Sequence, residues 1–362
     1  MIATLIHNIR MCLPNGQLVN GEILVDDGKI VRISDVPIED FTGNRHDGHG
    51  CMALPGFIDI HIHGAIGADF MDGDDNSIET IASYLPQEGT TSFLATTLTQ
   101  SEKTIKRAVD NGVKFMASKA DRTVIGAEML GFHLEGPFIH PDQAGAQPLA
   151  FIRDPSIELL QWWFGLELEH LKVVTLAPEK DRDFKVIRYL TAHEVIASAG
   201  HTTASYVEIT KAMDYGLRHL THFANAMTGL HHREIGVVGA GLLNDQLFCE
   251  VIADGIHMSD DMLKLMLKVI GSDRIILITD SMRAKGLSNG IYTLADQQVE
   301  VIGAKATLSN GTLAGSVLKM NDGAKRMHDL ANSPLKEIMN MTSANAAKRL
   351  GVYDRKGSIE IG

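Results

Sequence analysis

From residue 54 onward the chain repeats one pattern, a short apolar run of strand length followed by an amphipathic stretch of helical length. That alternation is the strongest constraint on the fold. Strands joined by helical crossovers run parallel, and a parallel sheet has to be covered by its own helices. The apolar runs predict eight strands, at 57–63, 91–98, 130–134, 173–176, 195–199, 219–223, 248–252 and 275–278. Between them the pattern predicts helices, for example over 101–117, which opens on the capping residue Ser101, and over 204–215, which stops at Gly216. Eight parallel strands closing on themselves make an α/β fold, a (β/α)8 barrel of the TIM type.

The first fifty residues read differently, as short strands with a tight turn at Asp26-Asp27-Gly28. After the eighth strand, 292–308 returns to short strands, 317–330 and 335–350 look helical, and 357–361 looks extended. A barrel of this type needs roughly 250 residues, fewer than the 362 present. The remainder is expected in a small β-sandwich domain formed by both chain ends. The expected division gives residues 1–53, 291–311 and 351–362 to that domain, and 54–290 with 312–350 to the catalytic barrel.

Charge and cysteines narrow the function. The net charge of −12, with no cluster of Lys and Arg, excludes a nucleic-acid footprint, which needs concentrated positive charge. An anionic small molecule stays possible, because one local cation in a pocket suffices to capture it. Cys12, Cys51 and Cys249 are scattered and odd in number, so they read as reduced thiols of a cytoplasmic protein. The apolar start at 1–12 is broken by His7, Asn8 and Arg10 without a cleavage signature, and no apolar run is long enough to span a bilayer.

The polar residues that interrupt the apolar runs gather at strand C-terminal ends, the face where such barrels assemble active sites. His61 and His63 lie two apart on the first strand, so both side chains share one face. Two buried imidazoles side by side are hard to satisfy without a shared ligand; the bland alternative is a hydrogen-bonded core pair. The third strand ends on Glu135 before Gly136-Pro137, with no local cation to pair it, and a carboxylate there can bridge two metal ions. His201 and His222 end the fifth and sixth strands at the same level. This nitrogen- and oxygen-rich set suits one or two ions of Zn²⁺, Fe²⁺, Mn²⁺ or Co²⁺. The eighth strand then delivers Asp280, the first choice for a general base and acid, against the plainer reading of a turn or capping Asp.

These residues resemble the amidohydrolase superfamily, and within it the N-acetylglucosamine-6-phosphate deacetylase family. PGFIDIHIHG at 55–64, GFHLEGPF at 131–138, LAPE at 176–179, GHT at 200–202, THFANAM at 221–227, DGIH at 254–257, TDSM at 279–282 and TLAGS at 312–316 look like the family's signatures in the family's order. An HxH pair alone marks only the superfamily; HLEGPF with HFANAM and LAGS is more specific. The resemblance implies that Glu135, His201 and His222 bind metal, and that Asp280 is the catalytic acid and base. His61 and His63 match members that hold a second metal ion. It further implies substrate contacts from Ala146, Gln147, Asn225, Ala226, His257, Leu313, Ala314 and Gly315, and a phosphate contact from Arg233. Read without the family, Arg233 is equally a solvated loop residue and His257 a core histidine bonded to a backbone carbonyl. The loop after HLEGPF ends in Gln147, where many members carry His. The family also implies a homodimer or higher oligomer, and a last β segment running past Gly362 that would leave an exposed sheet edge.

The activity so implied is metal-dependent removal of the acetyl group from N-acetylglucosamine-6-phosphate, a small phosphorylated amino sugar. Asp280 would take a proton from a water whose pKa the metal lowers, then pass it to the leaving nitrogen. The galactosamine epimer is the near alternative, and a dihydroorotase- or hydantoinase-like ring opener the next. Those ring openers commonly bridge their metals with a carboxylated Lys, where this chain offers Glu135. A silent scaffold barrel should have lost ligands that this chain keeps.

Overall fold

The computed structural model describes residues 3–118 and 126–362; the first two residues of the expected N-terminal unit lie outside them. Phe57–Ile62, Thr90–Thr96, Glu128–Glu135, Leu171–Leu176, Ile196–Ala199, His219–Leu220, Phe248–Ile252 and Ile275–Ile278 form one sheet in chain order. Every neighbouring pair is parallel. The barrel closes just past its last strand, where Asp280 N–H donates to the His61 carbonyl at 2.8 Å and His63 N–H to that of Ser281 at 2.9 Å. The eight expected strands are therefore the eight of the barrel, with shifted ends.

The barrel's interior is layered. Ile58, Ile60, Leu94, Leu130, Val173, Ile196, Ile252, Ile276 and Ile278 form one buried cluster, joined by Ala346 and Ala347 of the last helix. Above it lies a hydroxyl and imidazole layer: His133 Nε2 meets Thr175 Oγ1 at 2.7 Å, and Thr221 Oγ1 meets Thr175 Oγ1 at 2.7 Å and Ser198 Oγ at 2.6 Å. Outward-facing residues such as Phe93, Phe132, Val174 and Val251 pack on helix residues including Ile105, Leu160, Ile187 and Leu263. Four of the helices begin on serine caps: Ser101, Ser156, Ser205 and Ser259 accept the N–H of Thr104, Leu159, Glu208 and Met262, each worth about 1 kcal/mol.

The satellite elements differ from the expectation. Lys29–Ser34, Leu18–Asp26, Thr4–Cys12 and Asn44–Asp47 form a sheet in that order, with Met52–Ala53 also paired to Thr4–Cys12. Ile359 packs on its Ile9, Met11 and Ile23, and Gly362 N–H reaches the Ile30 carbonyl at 2.9 Å, so the chain's end does return here. The expected strand at 357–361 is not one. Gly290–Leu294, Gln297–Ile302 and Lys305–Thr307 make a separate antiparallel sheet. Its Leu294, Val299, Val301 and Ala306 join the barrel's main cluster, so this segment is held by apolar burial against the barrel and not by the terminal sheet. Among the described residues no helix is long and apolar enough to cross a membrane.

Candidate metal centre and active site

The residues that end the strands are set by unusual backbone geometry. His201, His222 and Asp280 have φ of 49°, 31° and 47°, a left-handed conformation that costs about 1–2 kcal/mol for a residue with a side chain. Such conformations persist where their surroundings over-determine them. Asp280 shows how: its N–H binds the His61 carbonyl and its own carbonyl accepts the Ser316 N–H at 2.7 Å. After Glu135 the chain turns through Gly136 at φ 70°, and a Cβ there would lie 2.1 Å from Thr99 Oγ1. Only glycine fits that turn.

Five side chains converge on Glu135. His201 Nε2 and His222 Nε2 lie 3.2 and 3.1 Å from its Oε1, His61 Nε2 3.4 Å from the same oxygen, and His63 Nε2 3.4 Å from Oε2. Gln147 Nε2 donates to Oε2 at 2.7 Å. Asp280 Oδ1 stands 3.1 Å from His63 Nε2 and 3.5 Å from His61 Nε2. All six candidate ligand and acid–base residues are buried. Two sets at the cavity have ligand atoms close enough to hold a metal ion, His61 with His63 and Asp280, and Glu135 with His201 and His222.

The donor chemistry fits a cation. His61 Nε2 is buried with no hydrogen-bond partner among the described residues, and the Nε2 atoms of His201 and His222 face each other at 3.0 Å. Three of the four opposite ring nitrogens are held: His61 Nδ1 meets Glu250 Oε2 at 2.9 Å, His63 Nδ1 the Thr96 carbonyl at 3.2 Å and His201 Nδ1 the Gln143 carbonyl at 2.7 Å. A proton on each Nδ1 leaves the Nε2 lone pair aimed inward, the arrangement of a metal-binding imidazole.

Electrostatics agree. Burial pushes the His61 and His63 imidazoles down, but the Glu135 and Asp280 carboxylates outweigh it, holding His61 well above its usual pKa and His63 at about 9. Burial pushes Glu135 and Asp280 up; His61 and the other imidazoles reverse this, leaving Glu135 well below the carboxylate range and Asp280 at about 2. The cluster thus keeps two buried carboxylates ionised and requires positive charge, which a divalent ion can supply by displacing imidazole protons.

This cluster forms one wall of a cavity of about 390 Å³. Of the sequence-proposed contacts, Ala146, Gln147, Asn225, Ala226, His257, Leu313 and Gly315 line it. Ala314 is buried behind it, its N–H bonded to the Ala306 carbonyl. Arg233 does not reach the cavity: it is exposed, and its guanidinium bonds His232 Nε2 at 2.6 Å. Neither Lys nor Arg is among the lining residues. His257 is not bonded to a backbone carbonyl; its Nδ1 lies 2.7 Å from Asp254 Oδ2. Burial lowers the His257 pKa, and Asp254 more than compensates, so it ends above its usual value.

A model of the Amidohydrolase family matches residues 52–362. The chain belongs to that family. One amidohydrolase relative, an N-acetylglucosamine-6-phosphate deacetylase of Bacillus subtilis (strain 168), is 46% identical over 99% of this chain and 90% of its own length. An N-acetylgalactosamine-6-phosphate deacetylase of Escherichia coli O157:H7 is 35% identical over 98% of this chain and 91% of its own. Among solved structures, the N-acetylglucosamine-6-phosphate deacetylase of Thermotoga maritima superposes with a TM-score of 0.88 at 33% identity, covering 99% of this chain and 92% of that one.

Within this amidohydrolase barrel the sequence reading missed Glu250 and Asp254. Glu250 is a lone carboxylate in the apolar run FCEVI of the seventh strand, fully buried against His61. An isolated charge inside a parallel strand was the available signal. His61, His133 and Glu250 also lie close enough to suggest a third metal set. Both His133 nitrogens are taken, by the Ile60 carbonyl at 3.0 Å and Thr175 Oγ1 at 2.7 Å, so this set is scaffold.

Proposed function

We propose that this chain is a metal-dependent N-acetylglucosamine-6-phosphate deacetylase, hydrolysing its substrate to glucosamine-6-phosphate and acetate. The observation that carries the reading is the convergence of four imidazoles on Glu135, with Asp280 against two of them, at one wall of a sugar-sized cavity, in a chain 46% identical to a relative of that name. The residues proposed to hold the cation are His61, His63, Glu135, His201 and His222, with Zn²⁺, Fe²⁺, Mn²⁺ or Co²⁺ the suitable ions. A divalent ion there supplies Lewis acidity and brings the pKa of water toward neutrality.

The rest of the work falls to the chain's own side chains. Asp280, ionised and facing the cavity, takes the proton of the attacking water and returns it to the departing amine, so the nitrogen leaves as a neutral group. His257, whose pKa Asp254 raises, offers an N–H to the acetyl carbonyl or the sugar. Asn225 and Ala226 face the substrate from the loop after the sixth strand, opposite Leu313 and Gly315. The phosphate needs a cation that the lining residues do not include. We assign that role to Arg233 across a homodimer or larger oligomer. Leu230, exposed by 60%, lies in its loop, and Val207, exposed by 67%, follows Tyr206, whose N–H donates to Glu234 Oε1 at 3.2 Å; both offer apolar surface to such an interface.

The likeness to an N-acetylgalactosamine-6-phosphate deacetylase keeps the epimer as a second reading. Acetate release is to be measured from both phosphorylated epimers and from unphosphorylated N-acetylglucosamine, before chelation, after it, and after metal return. Metal-dependent turnover confined to the phosphorylated gluco substrate is expected. Preference for the galacto epimer would move the assignment to that substrate, and metal binding without acetate release from any of them would overturn deacetylation.

A further inference from the structure

Behind the cluster, away from the cavity, sits a carboxylate that the reaction does not touch. Glu250 is fully buried and does not line the cavity. Its Oε2 accepts two hydrogen bonds, from His61 Nδ1 at 2.9 Å and from the His222 backbone N–H at 3.2 Å. Those two residues belong to different cation sets, His61 with His63 and Asp280, His222 with Glu135 and His201.

The two bonds act in different ways. On His61, the bond fixes the proton on Nδ1 and leaves Nε2 facing Glu135 and Asp280 at 3.4 and 3.5 Å. On His222, the bond holds backbone. Residue 222 sits at φ 31°, and its Nδ1 has no hydrogen-bond partner among the described residues. The aim of its ring at Glu135 therefore depends on its backbone. Glu250 clasps that backbone twice, since its own carbonyl also accepts the Phe223 N–H at 2.8 Å. Its other oxygen, Oε1, faces His219 Nδ1 at 3.5 Å.

We propose that Glu250 is a positioning residue that sets both cation subsites at once, so that ions at the two sites bind as coupled partners. Glu135 joins the subsites from the cavity side and Glu250 joins them from behind. The proposal rests on the metal-centre reading above, and the test separates the two.

The full chain is stripped with a chelator and titrated with Co²⁺ or Zn²⁺ alone, followed by calorimetry and by Co²⁺ absorption, for the wild type, Glu250→Gln and Glu250→Ala. The wild type is expected to take up two ions per chain. Glu250→Gln, which keeps the shape and loses the charge, is expected to weaken both binding steps together by about 10–100-fold, and Glu250→Ala to weaken them further. The KM should stay at the wild-type value while kcat recovers with excess metal, because Glu250 is outside the cavity. Melting of the stripped variants beside stripped wild type checks folding, and Glu250→Gln carries the test if Glu250→Ala does not fold. Unchanged affinities in Glu250→Gln, a loss confined to one step, or a wild type that takes a single ion would overturn the proposal. A wild type that binds no ion would overturn the metal centre itself, and that result needs no variant.

Discussion

At Asp280 the proposed chemistry depends on a carboxylate that stays ionised although buried. Burial favours its neutral form; His61 and His63 win that contest and hold it at about 2. The role proposed for it in the reaction rests on its proton affinity, and Asn keeps an oxygen beside His61 and His63, so Asp280→Asn should leave metal content near wild type and lower kcat by about 10²–10⁴-fold. Elemental analysis beside acetate release checks both halves, and retained turnover would remove Asp280 from the reaction. His63 sets a pH dependence of opposite sense. In the metal-free cluster its pKa is about 9, so below that pH a cation must displace its proton. Apparent metal affinity should rise with pH up to about 9, by up to about tenfold per unit for each proton displaced. The sign reverses for stability of the stripped protein: a raised imidazole pKa stabilises fully below about 6.5 and ceases to do so as pH rises through about 9. Melting of chelated protein across that window should therefore decline, and a flat or rising profile would mean that His63 does not hold its proton.

Among the elements, the turn after the eighth strand is held by a buried ion pair that sequence periodicity could not show. Lys285 Nζ lies 2.6 Å from Glu88 Oε1, both side chains being almost wholly buried, with Glu88 just before the second strand. Removing one partner strands the other charge in the core, so Glu88→Gln should destabilise by about 3–5 kcal/mol; the double change Glu88→Leu with Lys285→Met should recover most of it. Denaturant unfolding of Glu88→Gln, of Glu88→Leu and Lys285→Met singly, and of the double change tests this, and additive losses would mean the pair is not coupled. The Gly290–Thr307 sheet carries a second contact, Gln297 Nε2 donating to the Ala146 carbonyl at 2.6 Å. Because Ala146 and Leu294 line the cavity, Gln297→Ala should raise KM several-fold and leave kcat alone; a matching fall in kcat would place that contact nearer the chemistry. The strand ends show why boundaries were harder to read than strands. The sixth strand was expected over 219–223 but the ladder stops at Leu220, because the backbone leaves the extended region at His222 to aim its ring.

For the molecule as a whole, the proposed cation site joins distant parts of the chain. His61 and Asp280 are separated by most of the barrel in sequence, yet the backbone bonds between them close it. Metal held there favours the closed form by mass action, about 4 kcal/mol when free metal exceeds its Kd a thousandfold. Chelation should consequently lower the unfolding midpoint by several degrees, with recovery on metal return; a midpoint indifferent to chelation would mean that the ions do not brace the barrel. The same long-range closure explains the misplacement of 291–311. Its strand pattern was legible, but which apolar surface it would cover was not, and its Leu294, Val299, Val301 and Ala306 found the barrel.

The amino-acid sequence carries the eight strands, their parallel order and the residues that crowd one end of the barrel, because buried parallel strands leave near-continuous apolar runs and the exceptions to those runs stand out. It also carried the family, through motifs spread over most of the chain. Packing of the closed barrel brings Glu250 to both His61 and the His222 backbone, sets Asp254 against His257, keeps Arg233 outside its own cavity, and pairs Lys285 with Glu88. Each is a contact between residues whose separation in the chain or direction in space no local period encodes, and so each waits for the barrel to close.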